Sequence, residues 1–279
     1  VAPNAAFIVG GTTDGSVLSW PLTASGAGSP TTVDAFPGSY IGALAVASDS
    51  SLVAALQYTG TQVALYRADA TGALTSVAKL DTPNPQSVAF SPDGKLLAVP
   101  IAGGMVQVWD VSTPAAPVLA GRIEGLGALP TIAAFANHSR TLAVGTDAGQ
   151  VRLWDLSDPA KPVEKQVFGD PHGAVYGVTF SPDDSTLAAV GGDALVWAWR
   201  LDGAPSAFLS LDGQLGNTND VRFINGGARL VAGGDAGTIR VWTARPDAAR
   251  AELCANRGDV LTADEWSRFL PGVTPQDPC

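Results

Sequence analysis

The stretch TLAVGTDAGQVRLWDLSD, from Thr141 to Asp158, decides how this chain is read. An apolar run, a Gly/Asp turn and an alternating run lead to Trp154 and Asp155. The stretch GGMVQVWDVS ends in the same way on Trp109 and Asp110, 45 residues earlier. The echo recurs along the chain. Strands of this form close on Trp20, Tyr66, Trp109, Trp154, Trp199 and Trp242, at spacings of 46, 43, 45, 45 and 43. Six anchors at such even intervals mark an internal repeat.

Each unit holds more than its anchor. SVAFSPDGKLLAVPIAG precedes the strand ending at Trp109, and GVTFSPDDSTLAAVGGD precedes the one ending at Trp199. The order is apolar strand, Ser-Pro-Asp turn, second apolar strand, Gly/Asp turn, anchor strand. A more polar fourth segment follows, such as VLAGRIEG or VEKQVFG. Short strands with turn signals about every ten residues read as antiparallel meanders. Four strands in about 44 residues make one blade of a propeller.

Composition agrees. The 279 residues suffice for a large all-β domain with a substantial core. The 32 glycines and 20 prolines suit many strands joined by tight turns. A net charge of −10 and no Lys/Arg cluster exclude a nucleic-acid footprint. No apolar run approaches the roughly 20 residues of a membrane span, so no direct membrane insertion is expected. The chain opens on Val1 with no signal peptide and reads as a processed or excised piece of a longer polypeptide.

The units resemble WD-repeat β-propeller blades, with Trp-Asp intact at Trp109–Asp110 and Trp154–Asp155, over about residues 1–245. The resemblance implies an all-β propeller of four-stranded antiparallel blades, with six units countable. It carries little chemistry, because a propeller hosts many functions. Each anchor aromatic is expected to pack against the next blade. That would remove about 150–250 Å² from water, or about 4–6 kcal/mol gross at roughly 25 cal/mol/Å². The family often places a His before the first strand and an Asp in the turn before the Trp strand. Here His172, Asp193 and Trp199 are expected to form that structural set, while Asp14, Asp147 and Asp235 bond turn amides and His138 is a solvated turn residue.

The first unit departs from the pattern. Its VAPN, residues 1–4, aligns with the Ser-Pro-Asp-Gly turns, so AFIVGG is a second strand and the innermost strand is lacking. Either chain upstream supplies it, with seven blades possible, or the tail or an irregular segment fills the gap. The second unit, ASDSSLVAALQYTGTQVALYRADATGALTSV, resembles repeats of lactonase-like propellers and keeps an enzyme reading as the alternative.

Residues 246–279 change character. RPDAARAELCANRG reads as a short helix. In LTADEWSRFLPG, Thr262 and Glu265 form a capping box, and Trp266, Phe269 and Leu270 share an apolar face expected to lie on the propeller. Cys254 and Cys279 are the only cysteines, confined to this tail. One disulfide between them would stabilise the fold by about 3.5 kcal/mol in the chain-entropy model and would place the chain outside the cytoplasm, in the bacterial envelope or at the cell surface. Two free thiols would place it in the cytoplasm. The tail also resembles the ends of WD-repeat regions in actinobacterial multidomain signalling proteins, which implies a sensor or scaffold module.

No phosphate loop, nucleophile elbow, zinc signature or calcium loop is found, so no cofactor, metal or catalytic residue is expected. The function read from these residues is non-catalytic binding of a protein or peptide. Its candidate residues lie on the loops entering the innermost strands: Tyr40, Asn84, Leu129, Asn217, Asn219 and Asp220.

Overall fold

In a computed structural model, the described residues are 1–201, 209–211, 216–244 and 254–255. They form six antiparallel sheets, each nearly contiguous in sequence, which together make a six-bladed propeller. The first sheet holds Phe7–Gly11, Ser16–Thr23 and Thr31–Asp34, with the short strand Gly26–Ala27 on its middle strand. The second to fifth have four strands each: Ile41–Val46, Leu52–Gln57, Gln62–Ala68 and Leu74–Asp81; Ala89–Phe90, Leu96–Ile101, Met105–Asp110 and Val118–Ile123; Pro130–Phe135, Thr141–Thr146, Val151–Asp155 and Val163–Phe168; Val175–Phe180, Thr186–Gly191, Val196–Arg200 and Leu209–Leu211. The sixth holds Thr218–Ile224, Arg229–Gly234 and Ile239–Thr243.

Register identifies the units. Trp109 pairs with Leu97, Trp154 with Leu142, Trp199 with Leu187, Trp242 with Leu230 and Tyr66 with Val53. Trp20 pairs with Ile8 in the same way. Phe7–Gly11 is therefore a second strand by register, and among the described residues no innermost strand pairs with it.

The second strands are the core, because both of their faces meet apolar neighbours. Leu96–Ile101 is buried along its whole length, and Leu52–Leu56 nearly so. The innermost strands are less evenly buried. Val175–Phe180 is buried except at Tyr176, whereas Ile41–Val46 is half-buried with Gly42 exposed, and its inner side lines a central channel of about 780 Å³.

The anchors also pack in the opposite direction to that expected. Trp154 sits with Leu96, Ala98, Val106 and Val108 of the preceding sheet. Trp199 sits with Leu153 and Phe168 of the preceding sheet, its ring 4.9 Å from that of Phe168. Strand alternation gives the reason: the aromatic shares a face with the second-strand residue it pairs with, and that face looks backward.

One rim is laced from sheet to sheet. The Asn4 amide donates to Ser50 at 3.2 Å, Ser48 donates to the Pro92 carbonyl at 2.5 Å and Arg140 donates to Asp93 at 2.8 Å. His138, exposed as expected, donates its backbone N–H to Asp184 at 2.8 Å. The helical tail and its face of Trp266, Phe269 and Leu270 lie outside the described residues, apart from the helical pair Cys254 and Ala255. Cys279 lies outside them too.

Candidate functional site

The opposite rim carries the candidate residues, and one backbone device places four of them. In every sheet with an innermost strand, the turn between the second and third strands donates an N–H to a carbonyl on the segment leading into that innermost strand. Tyr58 donates to Tyr40 at 3.0 Å, Ala102 to Asn84 at 3.0 Å and Asp147 to Leu129 at 2.9 Å. Gly192 donates to Ala174 at 2.9 Å and Asp235 to Asn217 at 3.0 Å. Tyr40, Asn84, Leu129, Ala174 and Asn217 thus occupy equivalent positions, clasped by their own sheets. Sequence reasoning missed Ala174, since its side chain carries no chemistry.

The side chains then differ. The ring of Tyr40 stacks on that of Tyr58, with centroids 4.2 Å apart and planes at 23°, and both stay well exposed at 40% and 45%. Hydrogen bonding to Tyr58 pushes the Tyr40 phenol up to about 12, so that side chain is neutral at physiological pH. Tyr58 was not singled out from sequence, because its partner is 18 residues away on a different loop.

Asn84 bridges two sheets. Its N–H donates to the Gly60 carbonyl at 2.8 Å, and its own carbonyl accepts the amide side chain of Gln86 at 2.9 Å. Leu129 is held twice, because its N–H also donates to the Asp147 carboxylate at 2.9 Å. It borders a concavity of about 450 Å³ walled by Gly103, Gly104, Gly125, Leu126, Gly127 and Ala128. Its four glycines all adopt positive φ, which glycine reaches without steric cost, and they bare the backbone at those positions.

Asn217 and Asn219 converge on one acid. Their side-chain amides donate to Asp235 at 3.1 and 2.6 Å. A register shift lies between Thr218 and Asp220, and the same shift recurs at Ile41/Ala43, Pro130/Ile132 and Val175/Gly177. Asp220 does not join the rim. Like Asn219 it lines the channel, and its carboxylate sits 3.4 Å from Arg222 rather than on Asp235.

The set expected at His172 is rearranged. Asp193 accepts the His172 backbone N–H at 3.0 Å and the indole of Trp197, not Trp199, at 2.7 Å. Trp197 lies two residues nearer the turn that carries Asp193, and its ring centroid lies 6.0 Å from that of His172. Trp199 instead donates to Asp170 at 2.6 Å. The other turn acids behave differently from one another. Asp14 bonds Thr12 and the Ser16 amide, and the Thr12 hydroxyl chiefly holds its carboxyl below the usual range. Asp147 and Asp235 reach across to the facing loop.

The lactonase-like alternative needs titratable groups converging at the channel mouth. Among the described residues, no three of His, Cys, Asp or Glu come together as a metal-ligand set.

Residues 164–200 and 207–243 match the family model described as WD domain, G-beta repeat. Each match starts in the outer strand region of one sheet and runs through the third strand of the next. With six sheets in common register, the two matches support a WD-repeat propeller.

Proposed function

We propose that this chain is a non-catalytic protein-interaction scaffold that binds through its clasped rim. The carrying observation is the repeated bond from each turn to the carbonyl before the innermost strand, which fixes the backbone beneath Tyr40, Asn84, Leu129 and Asn217. Such preorganisation lowers the entropy lost on binding. The stacked Tyr40–Tyr58 pair gives a rigid aromatic platform of the kind enriched in hot spots. The described loops and turns of this rim hold Asp14, Glu124, Asp147, Asp170, Asp193 and Asp235, with no Lys or Arg. A partner surface bearing cations complements it.

We further read the chain as the extracytoplasmic module of a larger signalling protein. The tail cysteines and the resemblance of the tail support this, and intact mass with and without reductant tests it. Two free thiols in protein from the native host would remove the argument for that compartment.

The binding reading is tested by placing a photo-crosslinking side chain at Tyr40 and, as a control, at His138 on the opposite rim. Adducts to one polypeptide from position 40 alone support it. Equal adducts from both rims, or none, reject it.

A further inference from the structure

Three Phe, Tyr or Trp rings are well exposed among the described residues. Tyr176 lines the channel, and the other two, Tyr40 and Tyr58, stack on each other. Register shows what this pair replaces. Tyr58 donates the clasping N–H of the second sheet, as Asp147 and Asp235 do in the fourth and sixth. There the clasping residue also reaches the facing loop through its carboxylate. Asp147 accepts the Leu129 N–H at 2.9 Å, and Asp235 accepts the Asn217 side-chain amide at 3.1 Å. One carboxylate therefore suffices to hold these two loops together. The second sheet uses two tyrosines instead and leaves both in solvent. Large exposed rings that the fold does not need mark a contact surface.

The turn beneath them is unusual too. Thr59, next to Tyr58, holds φ at 50, in the left-handed region that a β-branched residue rarely enters. Backbone outliers of this kind gather where ligands are clamped.

A carboxylate stands beside the pair. Two bonds strap the loop of Tyr40 to the turn that carries Asp14. Gly38 donates to the Asp14 carbonyl at 3.2 Å and Ile41 to the Thr12 carbonyl at 3.0 Å, and Tyr40 lies between those donors in the chain. One oxygen of the Asp14 carboxylate accepts the Thr12 hydroxyl and the Ser16 amide, which favours its ionised form. Among the described residues, no cation pairs with this acid. The same loop already sets one ring against a cation of its own chain. The Lys79 ammonium lies 5.0 Å over Phe36 and donates to the Ala35 carbonyl at 3.1 Å.

A guanidinium answers these features together. Its plane lies flat on a phenol ring, its charge is drawn to the ring face, and its five N–H donors still reach a carboxylate while it stacks. An ammonium offers the charge without the plane. We propose that Tyr40, Tyr58 and Asp14 form a binding site for an arginine side chain of a partner polypeptide. The proposal rests on the reading of the clasped rim as a protein-binding surface, and it names the side chain that this surface selects.

The test titrates the full chain with the blocked peptide Gly-Gly-Arg-Gly-Gly, followed by NMR at the backbone amides. Saturable shifts are expected at residues 12–16, 38–41 and 58–60 and none at His138, on the opposite rim. Citrulline in place of the arginine keeps the plane and drops the charge, and should abolish the shifts. Lysine in its place should weaken binding at least threefold. Tyr58→Ala should weaken it at least fivefold and Asp14→Asn at least twofold, while Tyr58→Phe, which keeps the ring, should stay within twofold. The dispersion of each spectrum reports whether the variant is folded. Absence of saturable shifts at these amides would overturn the proposal, as would lysine binding as tightly as arginine. The rim reading is checked separately by crosslinking from Asn217, which lies on the same rim outside this site. A polypeptide captured there, with no arginine binding at Tyr40, would refute the arginine site and leave the rim reading standing. Failure of both would refute both.

Discussion

The indole N–H of Trp197 donates to Asp193 at 2.7 Å, and the same carboxylate takes the backbone N–H groups of His172 and Leu195 at 3.0 and 3.1 Å. One acid thus ties the anchor strand, its own turn and the loop entering the fifth sheet. Asp193→Ala is expected to cost about 2–3 kcal/mol in urea unfolding, as charge-assisted bonds warrant. Asp193→Asn should recover part of that loss, since one acceptor oxygen remains.

Trp199 is fully buried against Phe168, whereas Trp20 is half-buried. Trp199→Ala should cost about 3–5 kcal/mol and Trp20→Ala clearly less, because truncation there leaves a smaller enclosed cavity. Equal losses by chemical denaturation would mean that something already covers Trp20.

Tyr58→Ala removes the stacking partner of Tyr40 without opening the core, since both rings are well exposed. Partner capture through position 40 should fall at least tenfold while Tm moves by no more than about 2 °C. A large fall in Tm with capture retained would make the pair structural.

Acid should unfold the protein from the turns inward. The Ser157 hydroxyl, its backbone N–H and Lys165 hold Asp155 at about 2. Ser181 and Ser185 do the same for Asp183. At Asp93 burial works the other way, but Ser91 and Arg140 prevail and set it at about 2. Folded values below the ordinary carboxylate value of about 3.9 give stability that is complete above that value. It is lost as pH falls from about 5 toward 2. Tm measured across that window should drop, and Ser157→Ala with Ser185→Ala should make the drop shallower.

Gly121, in the outer strand of the third sheet, lies beneath the loop of the fourth. A Cβ there would lie 1.7 Å from the Pro159 carbonyl oxygen. Backbone would have to move, so Gly121→Ala should cost about 2–4 kcal/mol by calorimetry or denaturant.

The blades were legible because their information is local. The spacing of Trp20, Tyr66, Trp109, Trp154, Trp199 and Trp242 and the Ser-Pro-Asp turns repeat within about 44 residues, so alternation and turn chemistry suffice to count the sheets. The same reading identified the strand beginning at Phe7 as a second strand. It also placed Tyr40, Asn84, Leu129 and Asn217 on equivalent loops without the bond that makes them equivalent. It missed Tyr58, Ala174 and Trp197, whose roles depend on partners brought close by folding. Asp220 was grouped with the rim because sequence cannot show that Asn219 reaches Asp235 while Asp220 pairs with Arg222.

By itself the sequence determined the architecture, since hydrophobic period, turn residues and repeat length act over a few residues at a time. Tertiary structure decided what lies between sheets: the backward packing of the anchors, the choice of Trp197 over Trp199 at Asp193, and the exposure of Ile239 and Val241 on the sixth sheet. Those outcomes depend on which face of a strand meets which neighbour, and an alternating pattern is the same whichever way the sheet is turned.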